Sequence, residues 1–302
     1  MTTAKTCDIF YLFGEKEGEV LKKKNHFAFA IILLAAALFV LSPLFPAVSS
    51  LAVMSVYSRE CEKASLLNDK GIFLQIPGGG STAKDDWYPF VMTFCDDEGF
   101  SRYIGEPDSR LTILYNFPAF SYSKGCSRLF DESSPYYNGF YGAYLVETPD
   151  EVPYGFDGAT GELRETAITD VARYDFFKLV LEDFGLKSTD KIFEYSVTDK
   201  RANQTFVGYD GWTRVDATIT VNGAAHNSDG FVQSYIQYGK PNFPTNEPFK
   251  PTTVYCVAYA RYFEEWDTSV FFYAMSADRA ATQECVVELL GKSVLKQSLT
   301  ED

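Results

Sequence analysis

The longest apolar stretch of the chain comes early. Phe27 to Leu41 reads FAFAIILLAAALFVL, and no Asp, Glu, Lys or Arg lies between Lys24 and Arg59. At about 1.5 Å per residue, a helix carried on to Phe45 is roughly 28 Å long, enough to cross a hydrocarbon core of about 30 Å. Residues 26–46 are therefore expected to form a transmembrane signal-anchor helix. Lys22, Lys23 and Lys24 directly precede it, whereas Arg59 is the first basic residue after it. Basic flanks stay in the cytoplasm, which places residues 1–25 there and sends the rest of the chain across the membrane. The competing reading is a cleaved signal peptide with Ala47-Val48-Ser49 as its processing site. Against it, the segment before the apolar run is 25 residues long and holds Asp8, Glu15, Glu17 and Glu19.

Residues 47–70 are mixed and polar and suit a stalk or juxtamembrane helix. Apolar runs bounded by turn residues then predict strands at Ile72 to Ile76, Pro89 to Phe94, Leu111 to Phe117 and Tyr141 to Val146. Ala167 to Phe184 is the clearest helix: Ala167, Val171, Tyr174, Phe177, Leu181 and Phe184 recur at steps of three and four, and Gly185 supplies a C-cap. Thr213, Val215, Ala217, Ile219 and Val221 alternate with more polar neighbours, which is the pattern of a half-buried antiparallel strand ending at Asn222-Gly223, with Phe231 to Tyr238 as its return. Val254 to Phe263 and Ser269 to Met275 are apolar on both faces, as central strands covered on both sides are. A last helix is expected from an N-cap at Ser276 to a stop at Gly291. The expectation is an α+β domain over residues 71–302, with antiparallel, aromatic-rich sheet and two packed helices, preceded by the transmembrane helix.

Composition agrees with that reading. Aromatic residues make up 16% of the chain, a share that favours strands over helical bundles. Charge is unevenly divided. Residues 1–50 are close to neutral, and the remainder holds 22 basic against 37 acidic residues, a net of −15. Such a domain repels phosphate backbones and offers no basic stripe, which excludes nucleic acid as a partner.

Candidate chemistry is sparse. His226 is the one histidine beyond the apolar run and lies in a Gly/Asn/Ser/Asp-rich stretch. Pairing it with Cys126 as a thiol nucleophile has no local support. Gly79-Gly80-Ser81-Thr82-Ala83 falls short of a nucleophile elbow at its final position, Gly291-Lys292-Ser293 lacks the earlier glycine of a P-loop, and Asp157 to Glu162 lacks the alternating carboxylates of a calcium loop. No metal ligand set and no cofactor is expected. Glu264 and Glu265 flank Trp266 but are adjacent, and neighbouring residues on a strand point to opposite faces, which argues against a catalytic pair. Cys61, Cys95, Cys126, Cys256 and Cys285 follow the apolar run, an odd number that permits two disulfides in an oxidising compartment. Asn203-Gln204-Thr205 is a glycosylation sequon at Asn203.

The densest aromatic patch runs from Tyr115 to Tyr144. Within it Tyr136, Tyr137, Tyr141 and Tyr144 are the candidate binding residues, because tyrosine combines a flat face with a polar tip; the alternative is that these rings fill the sheet core. The resulting expectation is a single-pass membrane protein, N-terminus in the cytoplasm, whose acidic extracytoplasmic domain binds a protein partner or serves as a structural subunit of an assembly. An extracytoplasmic hydrolase and a lipid or pigment carrier with an apolar barrel cavity are the alternatives. Enzyme status stays open, on the side of no activity.

Overall fold

The computed structural model describes residues 26–42, 44–78, 87–118, 129–149, 153–182, 186, 191–225 and 248–297. Two compact units divide the chain, residues 1–45 and 46–302.

In the first unit, helix α1 covers residues 26–40. Its large apolar side chains, Phe27 to Leu41, are exposed. The helix ends where Ser42 donates its hydroxyl back to the Phe39 carbonyl at 2.6 Å. Ser42 precedes Pro43 in the sequence, and a residue before proline is pushed out of helical backbone. The continuous helix expected over residues 26–46 is thus interrupted, and helix α2 (Leu44–Lys63) begins anew. No helix among the described residues is long and apolar enough to cross a membrane.

The second unit is α+β, built on an antiparallel, aromatic-rich sheet. After α2 come the short helix α3 (Leu66–Asp69), β1 (Ile72–Gln75), β2 (Met92–Cys95), α4 (Asp97–Ile104), β3 (Arg110–Asn116) and β4 (Phe140–Glu147). Then follow α5 (Glu165–Asp175), which runs directly into a π-helix (Phe176–Leu181), β5 (Phe193–Phe206), β6 (Tyr209–Asn222), β7 (Pro251–Phe263), β8 (Thr268–Ser276), α6 (Arg279–Glu288) and β9 (Val294–Gln297). Seven strands form one sheet in the order β2-β3-β4-β8-β7-β6-β5, and β1 pairs with β9 in a separate ribbon. The seven-stranded sheet is open, with β2 and β5 at its edges. Among the described residues no barrel closes, because each edge strand pairs on one side alone.

Side chains alternate across a strand, so each strand feeds two layers. Phe140, Tyr144 and Val146 of β4 and Phe271, Tyr273 and Met275 of β8 join one core, which α5 and the π-helix cover with Val171, Tyr174, Phe176 and Val180. Tyr141, Ala143 and Leu145, with Val270, Phe272 and Ala274, join the other, which α6 covers with Ala281, Cys285, Val286 and Leu289 and which α3 and the β1–β9 ribbon extend. The two expected helices therefore lie on opposite faces. β3 and β4 approach so closely that a Cβ on Gly142 would stand 1.8 Å from the Leu114 carbonyl oxygen.

Residues 47–70, expected as a stalk, are packed into the domain: Met54, Leu66 and Leu67 are buried. α2 lies along the edge strand β2, where Ser58 accepts the Thr93 N–H at 2.9 Å and Tyr57 meets Phe94. That contact covers backbone that an edge would otherwise expose. The opposite edge, β5, had no counterpart among the expected strands. It joins β6 through the two-residue turn Val207-Gly208, both at positive φ, as a tight hairpin that follows the twist of its strands requires. The expected return strand Phe231 to Tyr238 lies outside the described residues. α6 is capped by Asp278, whose carboxylate accepts the Ala281 N–H at 2.8 Å, two residues beyond the expected Ser276.

Candidate functional site

An apolar cavity lies between the sheet and the α5–π-helix layer. Its roof is Ile168, Ala172, Phe176 and Val180, and its floor comes from β6, β7 and β8. The floor explains why a space exists. Ala217 of β6 sits directly opposite Cys256 of β7, and Ala258 is opposite Val215 on one side and Tyr273 on the other. Three small side chains thus meet under a helix that rests on larger neighbours, leaving an almost wholly apolar cavity of about 50 Å³.

One polar cluster lines it. Asp175, the last residue of α5, is buried and accepts the Tyr144 hydroxyl at 2.7 Å. Tyr144 stacks on Tyr273 with ring centroids 4.4 Å apart and planes 11° from parallel. Burial pushes the Asp175 carboxyl up to about 7, against which the Tyr144 hydrogen bond acts. The two tyrosine hydroxyls are driven well above their ordinary range by burial and then by the Asp175 charge. The Cys256 thiol is pushed up to about 12, by burial and then by Asp216, so it faces the cavity as an unreactive small apolar group. At the rim, Glu165 stands 3.7 Å from Lys200. The π-helix starts immediately after Asp175 and contributes Phe176 and Val180 to the lining. Such wide turns recur at functional sites because they displace side chains from regular helical positions.

The structure brings Tyr144 to this cavity and places the other candidate tyrosines in the core. Tyr136 is 5% exposed, Tyr137 6%, Tyr141 0% and Tyr144 4%. Tyr136 and Tyr141 both pack edge-on against Trp87. Their hydroxyls reach Glu284 and the Pro77 carbonyl, and that of Tyr137 reaches the Ala224 carbonyl. The expected outward-facing aromatic surface is therefore an interior: alternate strand positions fill both cores, and each buried hydroxyl finds an acceptor. Phe120 and Tyr122 of the same patch lie outside the described residues.

Asn203 is exposed and sits at φ +56° in β5, at a register shift between Arg201 and Gln204. Glu264 and Glu265 occupy the exposed 3-10 turn between β7 and β8, away from the cavity. Cys61, Cys95 and Cys256 are free thiols, and Cys285 is buried beneath α6; His226 and Cys126 lie outside the described residues. Among the described residues no group of three or more His, Cys, Asp or Glu is arranged to hold a metal ion.

Asp175 was not singled out from the sequence, although a signal existed. It follows Val171 by four residues and so falls on the apolar stripe of α5, where a carboxylate is out of place. Comparison of the chain with protein-family models, with curated proteins and with solved structures finds no match to any of them.

Proposed function

We propose that the protein is a membrane-attached binding protein whose extracytoplasmic α+β domain takes a small, largely apolar group bearing one hydrogen-bond donor. The observation that carries the reading is the apolar cavity with a single buried carboxyl on its wall. A carboxylate there gains most from a ligand hydroxyl or amine, because no water competes with it. Size sets the ligand class. Drug-sized ligands fill about 300–1,000 Å³ and benzene occupies a cavity of about 150 Å³, so roughly 50 Å³ accommodates a very small molecule or the tip of a chain. An entire lipid or pigment is too large for this cavity, and the sheet formed by the described residues is open.

Membrane attachment rests on α1, whose exposed apolar surface follows Lys22 to Lys24. Fifteen helical residues rise about 22 Å. A bilayer meets a hydrophobic stretch that short by thinning locally, with flanking lysines reaching to the interface. The proposed orientation keeps residues 1–25 in the cytoplasm.

The test is thermal denaturation of the full chain in detergent with short alcohols and amines of two to five carbons. These should raise the melting temperature of the native protein and leave Ala258→Phe, which fills the cavity, unmoved. No shift with any compound, or an equal shift in the filled variant, defeats the binding role. Alkaline carbonate extraction tests the attachment: the chain should stay with the membrane, and its release refutes that part.

A further inference from the structure

The structure assigns a second binding site to the other face of the sheet, and we propose that it takes a small anionic molecule of sugar size. The site is the groove between the first turns of α6 and strands β5, β6 and β7, about 630 Å³ in volume, within the range of ligand-holding clefts. Its lining departs from the charge of the domain around it. Three guanidinium groups, Arg201, Arg214 and Arg279, face this groove with the single carboxylate of Asp216, although the chain beyond residue 50 is strongly acidic.

The three arginines have different duties. Arg214 is fixed in place. It chelates Asp216 through Nη2 at 2.6 Å and Nε at 3.0 Å, donates to the Tyr259 hydroxyl at 3.1 Å and to Gln283 at 3.1 Å, and lies over the Tyr259 ring. Asp216 also receives Arg201 at 3.3 Å, so the one negative charge in the groove is shared between two cations. Arg201 is half exposed, and its other partner is Asp199. Arg279 opens α6 and makes no hydrogen bond or ion pair among the described residues. The groove therefore offers a net positive field, one rigid guanidinium and one with its donors unused.

Two further features select the ligand. Tyr255, 37% exposed, and Thr218 both line the groove. An aromatic face with hydroxyl partners suits a hydroxylated ring, and guanidinium groups suit an oxyanion attached to it. Carboxylate, phosphate and sulfate satisfy the same donors, so the chemistry shared by the candidates is an oxyanion on a polyol ring. This site shares no ligand with the cavity beneath α5 and stands whether or not that cavity binds anything.

The experiment is titration calorimetry on the full chain in detergent at low ionic strength, with glucuronate, glucose 6-phosphate, glucose 6-sulfate and neutral glucose as probes. At least one anionic probe should bind, more tightly than glucose by about tenfold or more, and should weaken as salt is raised. Which anion binds best identifies the oxyanion. Arg279→Glu and Arg201→Glu should each weaken that binding by about tenfold or more while the melting temperature stays within about 2 °C, since both side chains are exposed. Arg279→Lys should retain most of it. Ala258→Phe should leave it unchanged, which separates this site from the cavity. The proposal is overturned if no anionic probe binds, if glucose binds equally well, or if the Arg201→Glu/Arg279→Glu double variant binds as the native protein does.

Discussion

The two faces of the central sheet are made by the same strands and are packed differently. Toward α6, Trp212 meets Phe206, Phe263 and Phe272 with ring centroids 5.7 Å away in each case, and Phe206 in turn meets Phe272 at 5.5 Å and stacks on Tyr259 at 3.9 Å. Toward α5, the same β6 and β7 present Ala217, Cys256 and Ala258, and a void results. Backbone geometry is common to both faces, so the difference lies in which residue occupies each alternate position. A strand that carries Tyr259 on one side and Cys256 and Ala258 on the other builds a ring-packed patch and a hollow one together.

The contrast is broken most directly from the solid side. Trp212→Ala should cost about 3–5 kcal/mol in urea denaturation, because it empties a ring-lined site that cannot collapse. Trp212→Phe should cost well under half of that, since the indole N–H has no hydrogen-bond partner among the described residues and its loss strands no acceptor there. Equal costs for the two would show that the indole N–H, rather than ring packing, holds this face.

On the hollow side the largest effect is electrostatic and depends on pH. The folded-state value of Asp175, about 7, lies above the ordinary 3.8. Between roughly pH 4 and 7 the folded protein therefore binds the extra proton, so its stability falls as pH rises through that window and stays low above it. Asp175→Asn keeps an acceptor for Tyr144 and removes the titration. The variant should match the native protein near pH 4 and exceed it at pH 8 by about 2–4 kcal/mol. A difference that shrinks as pH rises would show that the carboxylate is stabilised in place.

The smallest effect is the sharpest comparison. Ala258→Val adds two methyl groups toward the cavity and should be neutral or stabilising by up to about 1 kcal/mol. Ala274→Val makes the same change on β8 toward the solid face, where Ala274 is fully buried, and should cost about 1–3 kcal/mol. If both changes cost alike, the cavity has no room to give and the two faces are equivalent.

Much of the framework was legible because it depends on local pattern. β7 and β8 read as apolar on both faces and β3 and β4 as apolar runs bounded by turn residues, and the structure places all four inside the sheet with neighbours on each side. β5 escaped notice because it is an edge strand: its stretch Thr198 to Thr205 is mostly exposed and polar, so it shows no alternation to detect. β9 is four residues long and pairs with β1, more than two hundred residues away, which no local window reveals. The four candidate tyrosines were visible as aromatics, but their side of the sheet was not, since a one-residue change of register exchanges the two faces.

The amino-acid order by itself determined the apolar run ending at Leu41, the acidity of the remainder, the alternation of its inner strands and the period of α5, because each of these depends on neighbours a few residues apart. The tertiary structure alone decided that Ala217, Cys256 and Ala258 meet beneath Asp175, and that Arg201, Arg214 and Arg279 share one groove with a single carboxylate. Those groupings join residues from separate strands and helices. A void, a buried charge and a local field are properties of what surrounds a side chain in space, and strand register and helix placement settle that only when the sheet is assembled.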